Sequence, residues 1–123
     1  MDRSIFVIDN SFVMRKTLIR TLSEKWNDIQ FLEAENGEDA FNKKLDWKQI
    51  DLIVCDILME KMDGLTFVKK LKEQNDIAHI PIIMITTEGS LEVMNQALSM
   101  GANDYIVKPF NIDELVNCIS NYI

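Results

Sequence analysis

The chain has 123 residues, with 13 Lys and Arg against 20 Asp and Glu, a net charge of −7 and 47% hydrophobic residues. That length sets one domain over residues 1–123, large enough to bury a core without staples, and the composition excludes wholesale disorder. The acidic balance argues against a nucleic-acid partner, and no apolar run reaches the ~20 residues of a membrane span. The opening MDRSIFVID has no long apolar stretch and no small-residue cleavage site, so no signal peptide is expected and the chain reads as cytoplasmic. Cys55 and Cys118 lack metal-ligand spacing and are expected as reduced core residues.

In chain order, Ser4–Ile8 is the first strand-type apolar run, and Ser11 to about Lys25 carries Met14, Leu18 and Leu22 at helical spacing. Ile29–Ala34 is a weaker strand. Gly37–Leu45 predicts a helix with Ala40, Phe41 and Leu45 on one face. Leu52–Cys55 is a short, wholly apolar strand, after which Asp63 reads as the N-cap of a helix using Leu65, Val68 and Leu71. Ile80–Ile85 is again continuously apolar, with Pro81 at its start, where a missing donor does least harm. Ser90–Met100 places Met94, Ala97 and Leu98 in helical register, and Tyr105–Val107 is the last strand. Asn111, with Glu114 three residues on, reads as a capping box opening a helix that uses Ile112, Leu115, Val116, Ile119 and Ile123.

Strands apolar on both faces, alternating with amphipathic helices, define an α/β fold with a parallel sheet covered on both sides. Right-handed crossovers leave few topologies for five strands and five helices. The flavodoxin-like doubly wound order 2-1-3-4-5 is the expected one.

Ligands in such folds bind beyond the carboxyl ends of the strands. There the sequence places Asp9 and Asn10 after the first strand, Asp56 after the third, Thr86 and Thr87 after the fourth and Lys108 after the fifth. Turns favour several of these residue types anyway, and Asp9 or Asn10 could simply cap the first helix. Together they suit phosphoryl transfer to a carboxylate. Asp56 would be the nucleophile, and a hard cation such as Mg²⁺ would offset the charge of the incoming group. Lys108 would supply a second point charge, and Thr86 a hydrogen bond.

With VIDNS (7–11), CDILMEKMDG (55–64), MITTEG (84–89) and GANDYIVKPF (101–110) in place, the chain resembles the receiver domain of two-component response regulators over nearly its whole length. The resemblance implies that Asp56 is the phosphoacceptor and that Asp9, Asn10, Asp56 and the backbone carbonyl of Leu58 hold Mg²⁺. Thr86 and Tyr105 would form the switch pair. Lys108 would be the family lysine, followed by a cis bond to Pro109. Leu58 and Glu88, two positions after the acceptor and the switch hydroxyl, would modulate hydrolysis. Two positions depart from the family: Asn10 stands where a second acid is usual, and Glu60 where proline is usual.

Because the chain ends at the fifth helix, the expectation is a stand-alone chemotaxis-type regulator, a monomer with no DNA-binding output domain. Its implied partners are a sensor histidine kinase, the flagellar motor switch and a phosphatase, with no nucleic acid and no membrane. It would catalyse only its own phosphorylation and dephosphorylation. A stand-alone phosphorelay intermediate or phosphate sink is the alternative. A dehalogenase-type phosphatase would need a second Asp where this chain has Ser11, and a flavodoxin-like electron carrier would need a Gly/Thr/Ser-rich loop where it has DNSFVM. Among the remaining residues, His79 is expected at the surface, Trp26 and Trp47 in packing near helix ends, and Lys69–Glu73 as a solvated helix face.

Overall fold

Strand β1, Arg3–Ile8, is buried from Ser4 onward and pairs in parallel with β2, Ile29–Ala34, on one side and β3, Leu52–Cys55, on the other. The computed structural model describes residues 3–87 and 89–123. Strand β4, Ile82–Thr86, follows β3, and β5, Asp104–Val107, closes the sheet, giving the expected order β2-β1-β3-β4-β5 with every pairing parallel.

Alternation along the strands divides the interior into two cores. Ile5, Val7, Leu52, Val54, Ile83 and Ile85 face the side covered by helices α1, Phe12–Lys25, and α5, Ile112–Ser120. Phe6, Ile8, Ile53, Cys55, Ile82 and Met84 face the side covered by α2, Gly37–Asn42, α3, Gly64–Lys72, and α4, Leu91–Met100. Each fully buried Leu, Ile or Phe stabilises by about 1.5–3 kcal/mol relative to exposure, so the central strands anchor everything at their ends.

The helices start where short polar side chains meet orphan N–H groups. Ser11 Oγ accepts from Met14 N at 3.1 Å, Asp63 from Thr66 N at 2.8 Å, and Asn111 from Glu114 N at 2.7 Å. Ser11, rather than Asp9 or Asn10, thus caps α1, and Asp9 is left for other work. Gly101, at φ 119°, ends α4 in the left-handed conformation that glycine adopts without a Cβ penalty.

Two expected elements shift. The second helix stops at Asn42 rather than Leu45, because Lys43 turns extended and Leu45 then packs on the core outside the helix. A 3₁₀ turn at Trp47–Gln49 follows and carries Trp47 into ring contact with Phe6, Phe41 and Phe67 at centroid distances of 5.5, 5.7 and 6.5 Å. Aromatic packing here overrides the helical preference of the Lys43–Leu45 segment. The fourth strand begins at Ile82, with Pro81 just outside it accepting from Ile53 N at 2.9 Å. Lys72 also departs from its solvated run: its ammonium donates to the carbonyls of Ala78 at 2.7 Å and Ile80 at 3.1 Å and braces the turn into β4.

Candidate phosphoacceptor site

Parallel-ladder hydrogen bonds continue one residue beyond the strands and place the site. Asp9 N donates to Ala34 O at 3.1 Å, Asp56 N to Ile8 O at 2.9 Å, and Lys108 N to Thr86 O at 2.8 Å. The sheet itself thus sets the main chain of Asp9, Asp56 and Lys108 along its carboxyl edge. There the side chains converge. Lys108 Nζ lies 3.1 Å from Asp9 Oδ2 and 3.4 Å from Asp56 Oδ2. The three side chains are 13%, 3% and 8% exposed in that order, so these charges meet with little water between them.

One ammonium faces two carboxylates. Burial pushes the Asp56 carboxyl above the ordinary range. Lys108 pulls it back down, Asp9 pushes it up again, and hydrogen bonding to the backbone of Ile57 and Leu58 lowers it, but burial prevails. A carboxylate that ionises less readily in the folded state than in the unfolded chain costs stability wherever it is ionised. Asp56→Asn should therefore raise the unfolding midpoint by a few degrees at pH 7. The gain should shrink as the pH falls through the folded-state value and vanish below the unfolded value near 4. Thermal unfolding of both proteins at pH 7 and at lower pH checks this.

Thr86 and Tyr105, the expected switch pair, share one face. Met84 pairs with Tyr105 and Thr86 with Val107 in the β4–β5 register, so Thr86 and Tyr105 sit diagonally on neighbouring strands. Thr86 is fully buried, and Tyr105 is half-buried against the α3–α4 core. The Lys108–Pro109 bond is cis, as the resemblance implied.

The remaining expected residues are less enclosed. Asn10 is exposed, and Leu58 is 54% exposed with its N–H 3.4 Å from Asp56 Oδ1. Glu88 lies outside the described residues. Among the described residues no three Asp, Glu, His or Cys side chains gather as a metal site. The donor set is two buried carboxylates, an exposed amide and a backbone carbonyl. All are hard oxygen donors, which suits Mg²⁺ with water completing its shell.

Sequence reading missed several supports of this site. Lys61 has φ 63°, the one non-glycine positive φ among the described residues, in a turn where Met62 N donates to Glu60 O at 2.6 Å. Nothing in the residue type signals it. Gly64 packs where an added Cβ would overlap the Asp56 carbonyl oxygen and lie 2.8 Å from Ile57 Cα. Arg15 is 7% exposed and donates to Asp9 O at 2.6 Å; its signal was there, since it lies three and seven residues before Leu18 and Leu22 on the inward stripe. Cys55 and Cys118 are free thiols, as expected. Burial, with Asp56, Asp9 and Asp63 nearby, holds the Cys55 thiol well above its usual range, which leaves it inert beside Asp56.

Two buried carboxylates on one lysine, with a buried threonine, at the carboxyl edge of a 2-1-3-4-5 sheet are the arrangement expected of a receiver domain. The model of the response regulator receiver domain family matches residues 5–120, and the chain belongs to that family. It is 42% identical over 107 residues to chemotaxis protein CheY1 of Helicobacter pylori J99, covering 86% of this chain and 85% of that protein. It is 32% identical over its full 123 residues to a probable transcriptional regulator, ycf29, of Porphyra purpurea, covering 57% of that longer protein. It superposes at a TM-score of 0.87 and 26% identity on a chain of the CheX-CheY-BeF3-Mg²⁺ complex from Borrelia burgdorferi, covering 98% of this chain and 90% of that one.

Proposed function

We propose that this receiver is a phosphorylation-operated binding switch of the chemotaxis type. Asp56 takes a phosphoryl group from a sensor histidine kinase, and the phosphorylated protein signals to the flagellar motor switch until the group is lost by hydrolysis or to a phosphatase. The observation that carries the reading is the placement of buried Asp56 3.4 Å from Lys108, with Asp9 on the same ammonium. Similarity to CheY1 supports the chemotaxis role, and no described helix is long and apolar enough to cross a membrane, which accords with work in the cytoplasm.

In this reading Asp9, Asn10, Asp56 and the Leu58 carbonyl would hold Mg²⁺, which would supply positive charge against the anionic phosphoryl group. The chain's own groups do the rest. Asp56 attacks phosphorus, the bond from phosphorus to the donor's histidine nitrogen breaks, and Lys108 neutralises charge on the transferred group. Thr86 then donates its hydroxyl to the new oxygens, and Tyr105 follows into the space released, changing the surface around α4 and β5. The protein turns over no separate substrate.

A chemotaxis-type kinase carrying labelled phosphate on its histidine tests the function. Label should pass to this chain and leave as inorganic phosphate. Onward movement to a second histidine protein would favour the phosphorelay alternative, and no transfer from any histidine donor would refute both.

Asn10 makes the site one charge less acidic than the family pattern. One charge at ~4 Å and an effective dielectric near 20 corresponds to about 4 kcal/mol before desolvation and screening, so a net gain of roughly 1 kcal/mol is expected on restoring it. Asn10→Asp should thus bind Mg²⁺ about fivefold more tightly. Trp26 follows α1 and Trp47 precedes β3, so both stand at the amino edge of the sheet, away from the site. Amide NMR shifts of residues 9–11 are the suitable probe, and equal affinity of the two proteins would remove position 10 from the metal shell.

A further inference from the structure

The main-chain carbonyl of Asp9 is held by a buried guanidinium, Arg15, paired with the partly exposed Glu33. Arg15 Nη1 donates to Asp9 O at 2.6 Å, and its Nε donates to Glu33 Oε1 at 3.0 Å. Glu33 lies on β2 and also receives Lys16 Nζ at 2.6 Å. Burial raises the Glu33 carboxyl, but the bonds from Lys16 and Arg15 outweigh it and hold the group below its ordinary range, so Glu33 stays ionised as the guanidinium's counter-charge. Asp9 is then fixed at four atoms: N by Ala34 O, O by Arg15, Oδ1 by Ser11 N at 2.9 Å and Oδ2 by Lys108.

We propose that Arg15, steadied by Glu33, is a positioning residue that aims the Asp9 carboxylate into the site. The inference rests on the reading of Asp9 as a cation ligand. A guanidinium buried on an otherwise apolar helix stripe carries a desolvation cost that a leucine there would avoid. The forked shape explains its use, because one planar group reaches the Asp9 carbonyl and the β2 carboxylate together, which a lysine cannot do. The β1–α1 turn is thereby tied to the sheet from behind. Lys108 on the open side can then be drawn toward an incoming anion without releasing Asp9. Groups that orient metal ligands from behind typically change metal affinity by about tenfold or more when removed.

The test compares Arg15→Met, Arg15→Lys and Glu33→Gln with the native chain by two readouts. One is Mg²⁺ affinity from amide shifts of residues 9–11. The other is hydrogen exchange of the Ser11 amide, which bonds Asp9 Oδ1, taken relative to Leu22 inside α1. Arg15→Met should weaken Mg²⁺ binding about tenfold and speed Ser11 exchange selectively. Arg15→Lys should recover only part of both, and Glu33→Gln should fall between. If Arg15→Met does not fold, Arg15→Lys and Glu33→Gln carry the same two measurements. Uniformly faster exchange with unchanged Mg²⁺ affinity would make Arg15 a packing residue and overturn the proposal, as would full recovery in Arg15→Lys. If the native chain shows no Mg²⁺ shift, the cation reading of Asp9 falls, and the Ser11-to-Leu22 exchange ratio alone still decides whether Arg15 positions Asp9.

Discussion

Lys108→Met should destabilise the folded protein by about 2–4 kcal/mol at pH 7, because breaking a buried charge pair from one side leaves the other side uncompensated. Here the remnant is two carboxylates, Asp9 and Asp56, each within 3.4 Å of where the ammonium stood. Methionine fills much of the same space, so the loss would be electrostatic rather than a cavity effect. The sign with pH follows. Without the lysine Asp56 protonates more readily in the folded state, so its share of the cost is present where it is ionised and fades as the pH falls through its folded value. Urea unfolding of both proteins at pH 7 and near pH 4 tests this, and equal stability at both would mean that Lys108 does not neutralise the pair. Mg²⁺ should restore more stability to the variant than to the native chain, since a divalent cation can take over the missing charge. Asp56→Asn and Lys108→Met thus move stability in opposite directions, the first by removing a carboxylate that is costly to bury and the second by leaving two without their cation.

Gly64→Ala should be nearly as damaging, by about 3 kcal/mol, through sterics alone. Its Cβ would overlap the Asp56 carbonyl oxygen and stand 2.8 Å from both Ile57 Cα and Met84 Cε. Two of those three neighbours are backbone, in the segment carrying Asp56, and Gly64 N bonds Ile57 O at 2.8 Å. Relief therefore requires the acceptor loop to move, so phosphorylation should slow along with the loss of stability. Gly89→Ala is the control. Its Cβ would meet Val107 Cγ1, a side-chain atom able to shift, at 3.1 Å, and only a small change is expected. Similar midpoints for the two variants would contradict the close approach at Gly64.

The strand order and the polar strand ends were legible because both depend on short-range pattern. Short, wholly apolar runs such as LIVC, alternating with amphipathic helical segments, read as parallel strands buried on two faces, and the polar residues that follow them then lie at one sheet edge. The end of α2 was not legible. Lys43 and Lys44 favour a helix locally, and the helix instead gives way to a turn that packs Trp47 on Phe6 and Phe67, from elements distant in sequence. Lys72 misled for a similar reason, since its charge suggested water while its partners are loop carbonyls that only tertiary structure brings near. At the site, the residues that face the chemistry stood out. Those that hold them from behind, Gly64 and Arg15, were visible only as a glycine after an N-cap and an arginine on an apolar stripe.

The account turns on Asp56 as the nucleophile. Intact-mass measurement after incubation with Mg²⁺ and a small acyl-phosphate donor, followed by peptide mapping, tests that directly. One added phosphoryl group is predicted, on the peptide containing Asp56, and none on Asp56→Asn, whose amide is a poor nucleophile. No gain in the native chain, or an unchanged gain in the variant, would contradict the assignment.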